Sequence, residues 1–261
     1  MKRHILYLIA TATFFSACIV AGTLYTDEIA KNITITTNKE GTVSLVITGS
    51  GEITVEWGDG AKYSGTISSD MNPIEHFYSG VNSNTITITG DNIRRFDCYN
   101  NQITSLELGK NSALTELFCN NNQLTNLNLG NNTALKTLNC SNNKLTTLYV
   151  DKHTNLTDLL CNNNQLVGLN VTANTNLTIL NCSNNKLTLL NVQQNSSLLK
   201  LYCQSNNLSS GALNDIFENL HNNSISDPDW GGKTVKIGNN PGTDDCNKTI
   251  ATNKGWEVEY D

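Results

Sequence analysis

A cysteine recurs six times along the middle of this chain, always 21 residues after the last. The flanking sequence repeats with it, as in LFCNNNQL and LNCSNNKL, so that leucine columns precede the cysteines and an asparagine column follows them. A fixed period of this length is the signature of a solenoid, in which each repeat contacts mainly its neighbours. The cysteine column is Cys98, Cys119, Cys140, Cys161, Cys182 and Cys203. The asparagine column is Asn101, Asn122, Asn143, Asn164, Asn185 and Asn206.

The period also limits the secondary structure. Twenty-one residues are too few for two helices with their turns, but they suit two short strands, each followed by a turn. Alternate residues of a strand share a face, so Leu117 and Cys119 point into the core while Phe118 points outward. We therefore predict a mainly β fold with little helix, in which stacked coils form two parallel strand ladders.

The repeat reads LxxLxCxxNxLxxLxLxxNxx over residues 93–208. This pattern resembles the leucine-rich repeat family, in the 21-residue variant with cysteine and asparagine found in bacterial surface proteins. The resemblance implies a leucine-rich-repeat solenoid with a cap at each end and a role in protein–protein binding. The departures are small: Ile93 and Phe96 replace leucines in the first repeat, and His153 stands in a second asparagine column, where we expect it to donate and accept hydrogen bonds at a turn.

Residues 29–91 lack the repeat and alternate polar with apolar residues, as in ITITT and TVSLVIT. This alternation, interrupted by Gly, Asn and Ser, predicts about six short strands of a small β-sandwich that caps the first coil. The stretch Glu56–Gly60 (EWGDG), followed by His76-Phe77-Tyr78, resembles a PKD-like module, a shortened immunoglobulin-type fold.

Residues 209–261 form the predicted C-terminal cap. The cap is predicted to begin with a helix, because apolar residues have helical spacing at Leu213, Ile216, Phe217 and Leu220. The segments that follow predict a strand, a second helix and a last strand. Trp256 is expected to close the end of the stack.

Residues 1–22 read as a signal peptide, because Lys2 and Arg3 precede an apolar stretch too short to span a bilayer. Phe15-Ser16-Ala17-Cys18 resembles a bacterial lipobox, which implies cleavage before Cys18 and acylation of that cysteine. The alternative is ordinary cleavage a few residues later, with Cys18 discarded. The predicted location is the envelope or surface of a bacterium, with the outer membrane included, through a lipid anchor or otherwise by secretion.

We interpret the repeated cysteines as core residues rather than as a chemical site. A column of thiols does not converge on one metal ion, and a redox thiol would need exposure near positive charge. Disulfides are the main rival, because export favours oxidation. Parallel neighbouring strands hold Cβ atoms about 4.8 Å apart, which is wider than a disulfide prefers. Cys203 and Cys246 stay open as a pair, since the cap can approach the last coil at a different angle.

The asparagine column predicts a buried ladder. A turn inside a coil leaves backbone N–H and C=O groups without strand partners, and the Asn side chain can bond both kinds of group.

Function must then come from outward positions. Phe118, Leu160 and Tyr202 recur on every second coil at one outward position, with asparagines between them, and this composition favours a protein-binding surface. Scattered surface hydrophobes are the alternative interpretation. Further candidates for partner contact are Ile179, Tyr99 and Tyr149.

The formal net charge of −6, without a basic run, disfavours a nucleic-acid partner. No two histidines have metal-ligand spacing, and no GxSxG or phosphate loop occurs, so we predict no cofactor, no metal and no catalysis. The leading hypothesis is a surface recognition or adhesion protein with a protein partner. The alternative is a glycan-binding accessory protein that uses the PKD-like module and exposed aromatic residues.

Overall fold

A computed structural model describes residues 32–224 and 231–260 of the 261-residue chain. The predicted signal peptide and Cys18 lie outside the described residues. None of the helices within the described ranges has the length and apolar character needed to cross a membrane.

Each repeat forms one coil, and each coil contributes one strand to a parallel ladder. Leu117, Leu138 and Leu159 occupy the same register position in neighbouring strands, so the 21-residue period is the height of one step in the stack. The strands are β7 (Ile93–Asp97), β9 (Glu116–Phe118), β10 (Thr137–Asn139), β11 (Asp158–Leu160), β12 (Ile179–Asn181) and β13 (Lys200–Tyr202).

The leucine and cysteine columns line a continuous core between the two sides of the stack. In the coil around Cys119, the buried residues fall at the repeat positions that the pattern reserves for apolar side chains. These residues are Leu114, Leu117, Cys119, Leu124, Leu127 and Leu129. The predicted fold class, a mainly β solenoid of stacked coils with little helix, is confirmed.

The second half of each coil differs from the expectation of a second ladder of strands. Only β8 (Ile103–Glu107) is a strand there, with a single further bridge between Glu107 and Asn128. The backbone N–H groups of residues such as Asn132 and His153 donate hydrogen bonds to the carbonyl three residues earlier. In these turns the N–H groups do not pair with a neighbouring coil. The side chains at these positions remain buried although the backbone is not a strand.

The N-terminal strands join the stack through both of its sides. These strands are β1 (Ile33–Thr37), β2 (Gly41–Gly49), β3 (Gly51–Glu56), β4 (Lys62–Ile67), β5 (Pro73–Tyr78) and β6 (Asn84–Gly90). The strand β2 pairs antiparallel with β7 and β5, and β1 pairs antiparallel with β8 and β6. With β14 (Lys233–Lys236) and β15 (Trp256–Glu259), the described residues form one sheet of ten strands in the order β15-β14-β13-β12-β11-β10-β9-β7-β2-β5, and one of five in the order β4-β3-β6-β1-β8.

The chain beyond the last repeat closes the other end. Helix α1 (Ser210–Asn219) begins at Ser209, whose side chain accepts a hydrogen bond from the N–H of Ala212, and its apolar face is buried. Strand β14 (Lys233–Lys236) extends the ladder in parallel, the short helix α2 (Thr249–Thr252) follows, and β15 (Trp256–Glu259) is the last strand. The indole of Trp256 is buried against this end of the core.

Candidate interaction surface

The ten-stranded sheet presents one face to the core and one face outward. In each three-residue strand from β9 to β13 the central residue is buried and its two neighbours point away from the core, as Glu116 and Phe118 do around Leu117. The outward positions of successive strands align, since the strands pair in register. One aligned set, which we call the outer row, consists of Asp97, Phe118, Asn139, Leu160, Asn181 and Tyr202.

The outer row extends past both ends of the repeats. Val46 pairs with Asp97 on one side and with Pro73 on the other, so the same line continues onto the N-terminal strands. At the opposite end it continues through Lys236 to Glu259. Val46 lies outside the period, so the repeat does not predict its position, and only the pairing of β2 with β7 brings it into line.

The outer row is less exposed than the sequence led us to expect. Phe118, Leu160 and Tyr202 are half-buried, because neighbouring strands only about 4.8 Å apart shield one another's side chains. Ile179 is also half-buried and lies in the adjacent outward set, beside Asp158 and Lys200.

Two other candidates lie off the outer row and are open to solvent. Tyr99 is 53% exposed just beyond the end of β7, and Tyr149 is 73% exposed in the second half of its coil. The exposed apolar side chains of Val167 and Leu189 lie in that same half of later coils. Neither was predicted from the sequence, although Val167 interrupts a column of threonines, which is a signal that could have found it.

The first aromatic ring of the outer row is fixed by a charged cluster. The Arg95 guanidinium lies 4.0 Å from the centroid of the Phe118 ring and forms ion pairs with Glu116, at 2.8 Å, and with Asp97, at 3.0 Å. An Arg held at several points over an aromatic face is a stable arrangement, so Phe118 has a defined orientation. At the far end, the Lys236 ammonium lies 5.8 Å from the centroid of the Tyr202 ring.

The asparagines of the outer row are bonded on one side of their amide. The Asn139 oxygen Oδ1 accepts hydrogen bonds from the backbone N–H and the hydroxyl of Ser141, at 3.2 and 2.7 Å. Asn181 makes the same pair of bonds with Ser183. The alternation of NNNQ with SNNK therefore has a physical meaning: strands with Asn in the outer row are followed by Ser, and strands with Phe, Leu or Tyr are not.

Below this surface, the asparagine column joins one coil to the next. The Nδ2 group of Asn164 donates to the carbonyls of Cys140 and Cys161, at 3.0 and 3.1 Å, and its Oδ1 accepts from the N–H of Leu145 at 2.9 Å. The column continues at both ends beyond the repeats: Asn101 bonds Ser44 of β2, and Asn240 of the cap bonds Asn206 and Cys203. Asn240 was not predicted, because it follows Asn206 by 34 residues instead of 21.

A second asparagine of each NNN or SNN stretch has a separate role. Residues immediately before the ladder asparagine, such as Asn121, Asn142 and Asn163, have φ between 54° and 55°. This left-handed conformation is unfavourable for most side chains, and Asn tolerates it better than most non-glycine residues.

The cysteines are buried free thiols. All six repeat cysteines are inaccessible to solvent, and burial raises the pKa of Cys140 and of Cys182 to about 12. A neutral thiol at these positions acts as a small apolar side chain. Cys203 and Cys246 are also free, and each thiol lies 3.3 Å from a backbone carbonyl oxygen, that of Lys236 and that of Thr243 respectively.

The second asparagine column is interrupted at His153. Its side chain is only 3% exposed, and neither ring nitrogen makes a hydrogen bond of acceptable geometry, contrary to the expectation that it would donate and accept bonds. One coil later, Asn174 donates to the carbonyls of Val150 and His153. The equivalent carbonyls for His153 are those of Leu129 and Asn132, and the ring makes no well-formed hydrogen bond to either. Burial lowers the pKa of His153, and the Leu129 carbonyl opposes this shift in part.

An open cleft lies beside this histidine, between the second halves of two neighbouring coils. Tyr149 and Asp151 border it on one side, and Asn128 and Gly130 border it on the other. Gly130 contributes no side chain to this cleft, and the exposed Tyr149 lines its other side.

The N-terminal strands contain one compact polar cluster. The Nε2 atom of His76 and the Oδ2 atom of Asp59 lie 2.6 Å apart, and the His76 ring stacks on Trp57 with centroids 4.9 Å apart. Asp59 also accepts a hydrogen bond from the N–H of Ala61, which lowers the pKa of its carboxyl group. These contacts close the turn between β3 and β4. Within residues 32–224 and 231–260, no group of three or more His, Cys, Asp or Glu side chains could hold a metal ion.

No protein-family model matches the chain, and no curated protein matches it either. Among solved structures, the functional domain of InlJ from Listeria monocytogenes, described as including a cysteine ladder, is 26% identical, with a TM-score of 0.44 over 62% of this chain and 38% of that one. An internalin (inlF) from the same species is 24% identical, with a TM-score of 0.48 over 57% of this chain and 42% of that one.

A leucine-rich repeat protein from Leptospira interrogans is similar at 25% identity, with a TM-score of 0.47 over 57% of this chain and 38% of that one. The match thus spans about four tenths of the length of each of these three proteins.

Proposed function

We propose that this chain is a non-catalytic recognition protein that binds a protein partner through the outward face of its ten-stranded sheet. The observation that carries the proposal is the outer row, in which Phe118, Leu160 and Tyr202 lie in line on strands paired in register. Aromatic and apolar groups held on a rigid ladder have the composition and preorganisation of a binding surface. Their partial burial favours this role, because side chains that are already ordered lose little entropy on binding.

The test is cross-linking to candidate partners on the surface of living cells, followed by affinity measurement with the purified partner. Phe118→Ala and Tyr202→Ala together should weaken binding by at least about a hundredfold, since central aromatic residues carry most of the energy of such interfaces. Tyr63→Ala is the matched control, because it removes an exposed tyrosine on β4 of the five-stranded sheet, away from the outer row. Equal affinity of the double variant and the parent protein, at unchanged thermal stability, would show that the partner binds elsewhere.

The proposed location is the surface of a bacterial envelope, including the outer membrane, with an adhesive role and Cys18 as the site of a lipid anchor; secretion is the alternative. The support comes from the sequence: Lys2 and Arg3 precede a short apolar stretch that ends in Phe15-Ser16-Ala17-Cys18. Mass spectrometry of the mature N-terminus decides between the two, because an acylated Cys18 carries the mass of its lipid chains.

A second candidate function is glycan binding, and the cleft beside Tyr149 favours it. An exposed aromatic ring that lines a cleft together with carboxylate and amide groups suits the apolar face and the hydroxyls of a sugar. The alternative also includes a PKD-like β-sandwich at the N-terminus, which the Trp57, Asp59 and His76 contacts support. A glycan array with the whole protein and with Tyr149→Ala tests it: a sugar signal that disappears in the variant would favour this function.

A further inference from the structure

The outer row repeats its chemistry on every second strand. Phe118, Leu160 and Tyr202 are separated by Asn139 and Asn181, and the five residues lie on five consecutive paired strands. Neighbouring strands are about 4.8 Å apart, so the apolar groups recur about every 9.6 Å along the axis of the solenoid. We propose that the segment bound here is a polyproline II helix that lies along the outer row, across the strands, and presents an apolar side chain at every third residue. This inference rests on the proposed protein-binding function and specifies the partner.

The spacing distinguishes a polyproline II segment from the other regular conformations. A polyproline II helix rises about 3.1 Å per residue with three residues per turn, so its equivalent side chains recur about every 9.3 Å on one face. Over the length of the outer row the mismatch with the apolar groups is well under 1 Å. An extended β-strand returns to the same face about every 6.6 Å, and an α-helix returns nearly to the same face at seven residues, about every 10.5 Å. Both fall out of step with the row, the strand within one period and the α-helix by about 2 Å over two periods.

The asparagines between the apolar groups suit the backbone of such a segment. A polyproline II helix has no internal hydrogen bonds, so its carbonyl oxygens need donors from a partner or from water. The Oδ1 atoms of Asn139 and Asn181 are engaged by Ser141 and Ser183. This fixes each amide with its Nδ2 group on the other side, and no acceptor for either Nδ2 is found among the residues that the structure describes. Two donors, about 9.6 Å apart like the apolar groups, are therefore offered to carbonyls of the bound chain.

The lack of charged groups in the outer row also favours a polyproline II segment. From Phe118 to Tyr202 the outer row contains no ionisable group other than the Tyr202 phenol. The charges at its beginning are already paired, since Arg95 contacts both Asp97 and Glu116. A neutral segment rich in proline and apolar residues would bury no unpaired charge here, whereas a charged peptide would have no partner for its charge within the row. Proline also costs little conformational entropy on binding, because its φ is fixed beforehand.

The experiment uses fluorescence anisotropy with labelled synthetic peptides and the whole protein. The first peptide has about twelve residues, with leucine at every third position and proline at the others. The second has the same composition with the leucines placed irregularly. We expect the regular peptide to bind at least about tenfold more tightly than the irregular one. Phe118→Ala and Tyr202→Ala should each weaken binding of the regular peptide by about tenfold or more, and Tyr63→Ala, on β4 of the five-stranded sheet, should leave it unchanged.

Asn139→Asp tests the hydrogen bonds separately. The carboxylate can still accept from Ser141 but cannot donate to the peptide, so affinity for the regular peptide should fall about tenfold. Thermal unfolding of each variant, followed by circular dichroism, shows that the surface is intact.

Equal affinity for the two peptides, or binding that survives both aromatic substitutions, overturns the inference, and so does the absence of binding by the regular peptide at about 1 mM. If a cell-surface partner still depends on Phe118 and Tyr202 while both peptides fail, the proposed function stands and only the polyproline II assignment falls. If the outer-row substitutions change the affinity neither for the partner nor for the peptides, both proposals fail.

Discussion

The side-chain oxygen Oδ1 of Asn143 accepts a hydrogen bond of 2.9 Å from the backbone N–H of Leu124, 19 residues earlier in the chain. The Nδ2 group of the same asparagine donates to the carbonyls of Cys119 and Cys140, which belong to the preceding coil and to its own coil. One side chain thus connects two coils through three backbone groups that no water can reach. The stack depends on this contact being repeated at every step.

Asn143→Ala is expected to lower the free energy of unfolding by roughly 2 to 5 kcal/mol, because it leaves buried donors and acceptors unpaired. Asn143→Asp should be at least as destabilising at neutral pH, because a carboxylate cannot donate to the two carbonyls. Urea unfolding monitored by circular dichroism gives the comparison. The control is Asn162→Ala, a half-buried residue outside the ladder, for which a change of under about 0.5 kcal/mol is expected. Similar losses in both variants would contradict the special role of the ladder.

The left-handed residues give a prediction that burial alone would miss. Asn163 is exposed, yet its φ of 54° is costly for an alanine. Asn163→Ala should therefore destabilise the protein by about 1 kcal/mol, whereas Asn163→Gly should be close to neutral. The midpoints of urea unfolding of the two variants are compared. An alanine variant as stable as the glycine variant would be inconsistent with the left-handed backbone at this position.

The thiols of Cys140 and Cys161 are expected to resist alkylation in the folded protein. Burial raises the pKa of the Cys140 thiol to about 12, and the pKa of Cys161 is also raised by burial, so almost no reactive thiolate is present near neutral pH. Iodoacetamide labelling, followed by mass spectrometry of peptides, should be slower by roughly a thousandfold than in the urea-unfolded chain. Fast labelling of either residue under folded conditions would show that the column is open to solvent.

His153 is a weak point in the second asparagine column. Its buried ring makes at most a poorly aligned contact, with the Leu129 carbonyl, whereas an asparagine there could donate to the Leu129 and Asn132 carbonyls as Asn174 donates to the equivalent groups. His153→Asn is therefore expected to raise the free energy of unfolding by about 1 kcal/mol. Differential scanning calorimetry at pH 7 would show a higher Tm, and a lower Tm would refute this explanation.

The same residue predicts a pH dependence. Burial lowers the pKa of His153 in the folded state, so below its ordinary value near 6.5 the unfolded chain binds more protons than the folded one. Stability is consequently full above that pH and falls as the pH decreases towards the folded-state pKa. The loss between about pH 7 and pH 5 should be smaller in His153→Asn than in the parent protein. Equal slopes in the two proteins would exclude His153 as a cause.

The period alone was enough to predict the stack, its core columns and the side of the sheet on which Phe118 lies. It could not predict the half-burial of Phe118 and Leu160, because that depends on strands that are neighbours only in space. The second half of the coil was predicted as a strand from its alternating leucines, but turns closing at Asn132 and His153 take up the backbone groups that a strand would need. Asn240 and Val46 extend the ladder and the outer row from outside the repeats, where the period gives no information.

The alternation of large apolar residues with Asn–Ser pairs also constrains how such a chain can change its length. Loss of the single coil around Asn139 would bring Phe118 and Leu160 onto adjacent strands and break the spacing of the row, although every core column would still match. Loss or gain of two coils preserves both the core and the surface pattern. Unequal recombination within the repeated DNA should therefore be tolerated by the fold in steps of one coil, but by the surface only in steps of two.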